Sequence, residues 1–542
     1  MKFPIAVGLA CTGALAAAGP ALAIDYPAPT DPGQVQSAPR GPHHTLKVGP
    51  HARFHSIQKA VDAAKAGDTV KIANGTYHES VKIVGAKKRY LRLIGNKSAP
   101  SKVVLDGKPL KGAKGQNGVF VNNAAQVTVQ GVTASNWKGN GVFVLNVTGY
   151  LVDRVRAIHD GTYGVYAFNS KGGTMSNSVG AWNNDSGFYI GQTPVQTKPV
   201  RSLVTNVKSY GNTLGFSGTN MRYVTITRSE WFDNGIGIVP NALDSEKWAP
   251  PEDNVITDND IYWNNFNYYK GAPFSFDRAS TDGVPFPVGV GVFVFGGRRT
   301  LVENNRIFGN YLSGVAMVQQ LLLKQKDAQE LEGNVIKGND FGKDGADLNG
   351  RDLFYDGDGK GNCFSDNRGV HVTYPDDPET FPTCSFDGIN KLNTETQQTA
   401  VSWTVGDPTH EANWITSPHA TIAGRTPLER WTPATKEPIA RTATAATAAV
   451  AGRTRTVTVR DSYFSPSKLT VKSGTTMRWV WPTGLSYTHD VMLGGHPKGV
   501  KTFMSEYAAG DYSFKRKLTV PGTYTFMCEL HESMTMKVVV KR

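Results

Sequence analysis

The residues best equipped for chemistry lie near the C-terminus. Cys528, His531 and Met534 follow one another at intervals of three in Tyr524-Thr525-Phe526-Met527-Cys528-Glu529-Leu530-His531-Glu532-Ser533-Met534, and Lys537-Val538-Val539-Val540 comes next. A thiol, an imidazole and a thioether on one tight loop, between two strand-like runs, suit a soft or borderline metal. Two His and one Cys in a trigonal set, with a weak axial Met, form a copper site. The loop is one imidazole short. His489, in Tyr487-Thr488-His489-Asp490-Val491, can supply it from another strand, because it lies shortly after the strand-like Met477-Arg478-Trp479-Val480-Trp481. Met536 is a rival axial ligand.

These residues carry a resemblance. Residues 455–542 resemble the cupredoxins of the plastocyanin, pseudoazurin and amicyanin group, and the Cys-x2-His-x2-Met loop is most like that of amicyanin. The resemblance implies a Greek-key β-sandwich holding one type 1 copper per chain, with His489, Cys528, His531 and Met534 as ligands. It favours Met534 over Met536, and it implies one-electron exchange between Cu(II) and Cu(I) through the exposed edge of His531. Glu529 and Glu532 depart from the family's loop, which puts potential and partner choice in question. The alternative is a small sandwich without metal, with a buried Cys and stray surface His.

The elements around this module set its context. Lys2, the apolar run Ile5 to Ala18 and Ala21-Leu22-Ala23 read as a signal peptide over residues 1–23, with a mature start near Ile24 and a secreted or periplasmic destination. Cys11 falls inside that peptide. Setting aside Cys11 and Cys528 leaves Cys363 and Cys384, which an exported chain is expected to pair as a disulfide. Residues 24–45 form a polar, Pro-rich leader. Residues 437–454, with Ala-Thr-Ala-Ala-Thr-Ala-Ala, form a low-complexity linker, so the copper module is expected to be tethered rather than fused. No later stretch is long and apolar enough to span a membrane.

Between leader and linker the chain repeats itself. Gly118, Gly141, Gly164 and Gly187 each open an apolar strand at intervals of 23, and Gly215, Gly237, Gly291 and Gly314 continue at 28, 22, 54 and 23. Such a period marks the stacked coils of a solenoid. The first and third residues after each Gly are mostly apolar (Val119/Val121, Val142/Val144, Val165/Ala167, Phe188/Ile190) and point inward by alternation. The fifth is an amide (Asn123, Asn146, Asn169, Gln192, Asn220), expected to stack as a structural ladder. The second points outward and reads Phe120, Phe143, Tyr166 and Tyr189. This aromatic strip either stacks on sugar rings or is covered by the protein's own loops or the copper module.

Upstream, the helix pattern Ser56 to Lys65 with Gly67-Asp68-Thr69-Val70 and Gly75-Thr76-Tyr77 resembles the start of right-handed parallel β-helix proteins of the pectin-lyase-like class. The fold class implied is all-β: a right-handed parallel β-helix over 46–436, including a C-terminal cap, followed by the cupredoxin sandwich. Inserts at 240–253, 266–287 and 321–333 interrupt the coils; the last is charged and helix-like.

Charge narrows the partners. The chain carries 58 Lys and Arg against 45 Asp and Glu, a net charge of +13. Residues 455–542 hold 13 basic and 6 acidic residues, a surplus of +7. With no basic-aromatic nucleic-acid motif in view, this favours an acidic redox partner protein, or an anionic polysaccharide or cell wall. Three function classes stay open: an exported copper protein with the solenoid as scaffold or glycan-binding surface; a polysaccharide lyase, hydrolase or epimerase with the copper module as accessory; and a cell-wall or glycan-binding scaffold with no chemistry in the solenoid. For the second, no confident catalytic set emerges. His159 with Asp160, and Asp185 one coil on, are equally ordinary turn residues, and Arg298-Arg299 equally caps a turn. A looser likeness connects the solenoid to the periplasmic accessory proteins of nitrous oxide reductase maturation, which raises copper delivery or storage beside electron transfer.

Overall fold

The computed structural model describes residues 35–405 and 454–542, except 267, 269–285, 322, 325–327, 344–347, 483, 484, 486 and 532, with side chains through Trp403 in the first span. The signal peptide, most of the leader and of the 266–287 insert, the cap beyond 405 and the linker lie outside the described residues.

Residues 45–374 wind into a right-handed parallel β-helix of three sheets with 12, 11 and 10 strands. The helix Ile57–Ala63 covers the first coil. Ser56 caps it by accepting from the Lys59 N–H, and Ile57, Ala60 and Val61 are its buried face. The coil register follows the glycine spacing. Val119, Val142, Val165, Phe188, Phe216, Ile238, Val292 and Val315 are paired neighbour to neighbour in one sheet. Their inward side chains join one continuous core with Val121, Val144, Ala167 and Ile190.

Close approach explains the glycines. A Cβ on Gly164 would lie 2.6 Å from the Gly187 carbonyl oxygen and 2.7 Å from Asn183 Nδ2; one on Gly237 would lie 2.5 Å from the Gly291 oxygen and 2.9 Å from Asn264 Nδ2. The space a side chain would need is taken by the next coil and by an asparagine.

That asparagine belongs to an internal ladder. The side-chain oxygens of Asp160, Asn183, Asn212, Asn234, Asn264, Asn310 and Asn349 each accept the backbone N–H of the corresponding residue one coil earlier. Parallel ladders run through Asn259, Asn305, Asn339 and Asn367, and through Asn334, Asn362 and Asn390. Buried turns must satisfy their polar backbone somewhere, and these amides do so. The outer corner amides Asn123, Asn146, Asn169, Gln192 and Asn220 adopt left-handed φ between 45° and 55°, a region asparagine tolerates. Within this corner Asn169 Nδ2 donates to Asn146 Oδ1 at 2.5 Å.

The 321–333 insert contributes the strand Leu331–Glu332, paired with Gly297–Arg298; the helix-like expectation for this insert falls in part on residues outside the described ones. A helix follows the last coil, at Thr394–Val405. There Trp403 packs on Phe354 at the solenoid's C-terminal end. Cys363 and Cys384 are joined as a disulfide. No helix among the described residues is long and apolar enough to cross a membrane.

Residues 454–541 form a separate sandwich of two four-stranded sheets. One sheet orders the strands 464–465, 454–459, 475–481 and 512–518. The other orders 468–472, 535–541, 522–527 and 492–495. Trp479, Trp481, Phe526 and Val538 fill the space between them. The expectation of a merely tethered module is corrected: the sandwich is docked on the outward face of the 11-stranded sheet. Its Tyr507 ring packs 5.6 Å from Phe120 and 6.0 Å from Phe143.

Candidate metal centre

Two loops at one end of the sandwich bring the predicted ligands together. Cys528 follows directly on the strand Gly522–Met527. Its N–H donates to the Met534 oxygen, and the Met534 N–H donates to the His531 oxygen, which closes the loop into a tight turn. His489 is fixed by reciprocal backbone hydrogen bonds with Ala508. One donor atom from each of His489, Cys528 and His531 falls within 4.8 Å of the others, and all three side chains are buried. The sulfur lies 3.8 Å from His489 Nδ1 and 3.5 Å from His531 Nδ1, so both rings turn the same nitrogen toward it. Met534 is fully buried on the same loop. Met536 is engaged elsewhere: its sulfur accepts the Trp479 indole N–H at 3.3 Å.

The surroundings suit a cation. Burial, and then the nearby Asp490 carboxylate, push the Cys528 thiol well above its ordinary range. Burial, and then His489, hold the His531 imidazole well below its ordinary value, so it is neutral and has a lone pair to give. A buried thiolate needs a positive charge beside it, and a metal supplies one while displacing the thiol proton. The far nitrogen of His489, Nε2, stands 3.5 Å from the buried Asp461 carboxylate, the kind of group that commonly accepts from a metal-binding imidazole. The donor set therefore fits a soft or borderline metal such as copper.

Two acidic residues around the site carry no signal in the sequence beyond their positions. Asp490 accepts the Glu529 N–H at 2.7 Å and the Cys528 thiol at 3.3 Å, which ties the two ligand loops together. Burial raises its carboxyl to about 7. Its place beside His489 was the one available hint. Asp461 lies 28 residues before His489 and nothing in the sequence pairs them.

Comparison with known proteins agrees with this geometry. Residues 454–541 match the model for copper binding proteins of the plastocyanin/azurin family. Residues 454–541 are a cupredoxin domain. Residues 117–244 match the model for the right handed beta helix region. Among solved structures, an amicyanin variant in its reduced Cu(I) form at pH 4 shares 26% identity over 17% of this chain and 88% of its own, with a TM-score of 0.16. A pseudoazurin from Sinorhizobium meliloti shares 22% over 16% and 74%, with a TM-score of 0.15. The A-module of Azotobacter vinelandii mannuronan C-5 epimerase AlgE4 shares 18% over 58% and 90%, with a TM-score of 0.41. No curated protein matches the chain.

The remaining candidates fall differently. The strip Phe120, Phe143, Tyr166 and Tyr189 points out of the solenoid but is buried, in one apolar cluster with the cupredoxin domain. It is not an open glycan platform; the domain itself covers it. His531 is only 5% exposed, so the expected bare edge is absent from the docked chain. Asp160 turns inward, accepts the Trp137 N–H and starts the asparagine ladder, so it does not pair with His159 as an acid–base couple. Arg299 binds Asp253 and Glu252 at a turn. Sequence reading missed Glu246, buried where its insert folds back, whose carboxyl meets the Tyr189 hydroxyl. Burial, then Asp185, and to a smaller extent Glu246, push the Tyr163 hydroxyl well above its ordinary range.

Proposed function

We propose that this chain is an exported type 1 copper protein that exchanges one electron at a time, with the β-helix as scaffold. The observation that carries this reading is the convergence of His489 Nδ1, His531 Nδ1 and Cys528 Sγ at the end of a cupredoxin domain. His489, Cys528 and His531 would hold copper, with the buried Met534 thioether as a further, weaker donor. When bound, copper supplies the Cu(II)/Cu(I) couple. The chain's own residues do the rest. Asp461 lies beside the far nitrogen of His489, and Asp490 fixes the Cys528 loop against the His489 loop. The burial of Leu530 and Met534 on the ligand loop limits reorganisation around the site. The single such cluster among the described residues supports one copper per chain.

The Ala21-Leu22-Ala23 site and the Cys363–Cys384 disulfide support export to an oxidising compartment. The +7 surplus of the domain supports an acidic redox partner. The alternative, polysaccharide chemistry on the solenoid, has less support, because Asp160 is buried in the internal ladder and the aromatic strip is covered.

Copper(II) loading should turn the protein blue through thiolate-to-copper charge transfer, and Cys528→Ser should abolish the colour. A wild-type chain that binds copper without a visible band would overturn the type 1 assignment.

A further inference from the structure

The cupredoxin domain meets the solenoid with its metal end. Thr488, next to His489, accepts from Asn140 Nδ2 at 3.2 Å. Gln116 donates to the Gly510 oxygen at 2.9 Å and accepts the Ala509 N–H at 3.0 Å. Lys82 pairs with Glu506 at 2.9 Å, and Lys138 pairs with Asp511. Between these polar contacts, Tyr507 rests on Phe120 and Phe143, and its hydroxyl reaches the Glu529 carboxylate beside Cys528.

Loop tips at the end of a free sandwich are ordinarily solvent-exposed. Here Leu530 is 1% exposed, in the same apolar cluster as the solenoid's aromatic strip, and His531 beside it is 5% exposed. A protein partner would need this same apolar patch to come within electron-transfer distance of His531. Cover and partner therefore compete for one surface.

We propose that the solenoid is an autoinhibitory cover for the metal centre. In the docked chain the centre is closed to macromolecular partners. Exchange with a second protein takes place from an undocked form in which residues 404–453 keep the domain nearby. This rests on the copper reading for its meaning, but the docking itself needs no metal. The aromatic strip then has a job: it is the seat of the domain, built from outward residues on successive coils. The two ion pairs at the rim are half-exposed, so each contributes modestly and the closed state is poised rather than locked. A covalently attached domain also redocks readily, because its effective concentration is high.

The test uses the full chain. Glu506→Lys with Asp511→Lys turns both rim pairs into repulsions, and adding Lys82→Glu with Lys138→Glu restores them with opposite polarity. Hydrogen exchange of the segment around the Ala509 amide reports docking in the metal-free protein. Reduction of the copper-loaded chain by reduced cytochrome c reports access, with ascorbate as the small-molecule control. The reversed pair should exchange the Ala509 segment about tenfold faster and react about tenfold faster with cytochrome c, while ascorbate changes little. That gain runs against the added positive charge facing a basic donor. The four-fold charge swap should return both rates to wild type, which also shows that the reversed variant fails through docking and not through folding. Unchanged exchange and unchanged cytochrome c rates in the reversed variant would overturn the cover. Should exchange respond as expected in a chain that never turns blue, the cover stands and the type 1 reading falls.

Discussion

At the scale of single residues, the chain places a thiol where a thiol is comfortable and a thiolate is not. Cys528 is buried and faces the Asp490 carboxylate, and both effects hold its proton on. His531 is held in its neutral form, so it releases no proton at neutral pH when it becomes a ligand. Metal binding must therefore displace the Cys528 proton. With the thiol's value raised, that cost is present throughout the neutral range and shrinks as pH rises. Above about pH 7, where Asp490 has ionised, affinity for copper should increase about tenfold per pH unit, the slope of that displaced proton. Competition against a chelator of known pH dependence measures it. In Cys528→Ser that slope should vanish along with most of the affinity. The shell around this residue divides into parts legible and illegible in the sequence. The ligand types could be read because Cys-x2-His-x2-Met is local and His489 follows a strong strand pattern. Asp461 could not, because its relation to His489 exists only across the sandwich. His531 was expected to be exposed because the loop says nothing about what lies against it.

At the scale of elements, the coil repeat was readable because one physical constraint recurs every turn: a glycine where the next coil's carbonyl and an asparagine amide leave no room for Cβ. The inward valines were equally readable, since alternation on a strand assigns their face. The internal asparagine ladders escaped notice although they contribute more to the coil turns than the corner amides at Asn123 to Asn220. Insertions shift their spacing in sequence to 23, 29, 22, 30, 46 and 39, so only the folded register aligns them. Asp160 is the odd member, an acid in an amide's place. Burial raises its carboxyl well above the ordinary 3.8. A raised folded value means that the folded chain holds the proton more tightly than the unfolded chain does. The stability this gives is full below the unfolded value and is lost as pH rises through the folded one. Asp160→Asn keeps the acceptor for the Trp137 N–H and removes the titration. Thermal melts should show little change at pH 4 and a gain in stability at pH 8, the sign set by the raised folded value. Asn264→Ala should have the opposite sign at every pH. It strips the acceptor from the Asn234 N–H and the donor to Asn310, with a cost of about 2–3 kcal/mol for the buried partners left unpaired.

At the scale of the molecule, two cores of different character share a boundary. The solenoid core runs the length of the coils and is reinforced at each turn by buried amides. The cupredoxin core is small, and it borrows Phe120, Phe143, Tyr166 and Tyr189 from the solenoid's outer face. The sequence identified this strip as outward and apolar but could not choose its occupant, since alternation fixes a face and not a neighbour. A domain of this size is marginal by itself, so it should unfold first on heating, in a transition separate from that of the solenoid. Copper binds the folded domain and not the melted one, so it should raise only that lower transition. At a free concentration about 100-fold above the dissociation constant the gain is about 2.7 kcal/mol. Calorimetry with parallel hydrogen exchange of the strand Thr475–Trp481 assigns the transition. Melting the domain also uncovers the aromatic strip on a still-folded solenoid, so binding of a hydrophobic dye should begin at the lower transition and move upward with copper. If instead one transition carried the whole chain and copper raised all of it, docking would have fused the two cores into a single cooperative unit. The undocked form would then be as rare as the unfolded one, which would leave the metal centre no route to a partner other than through the solenoid.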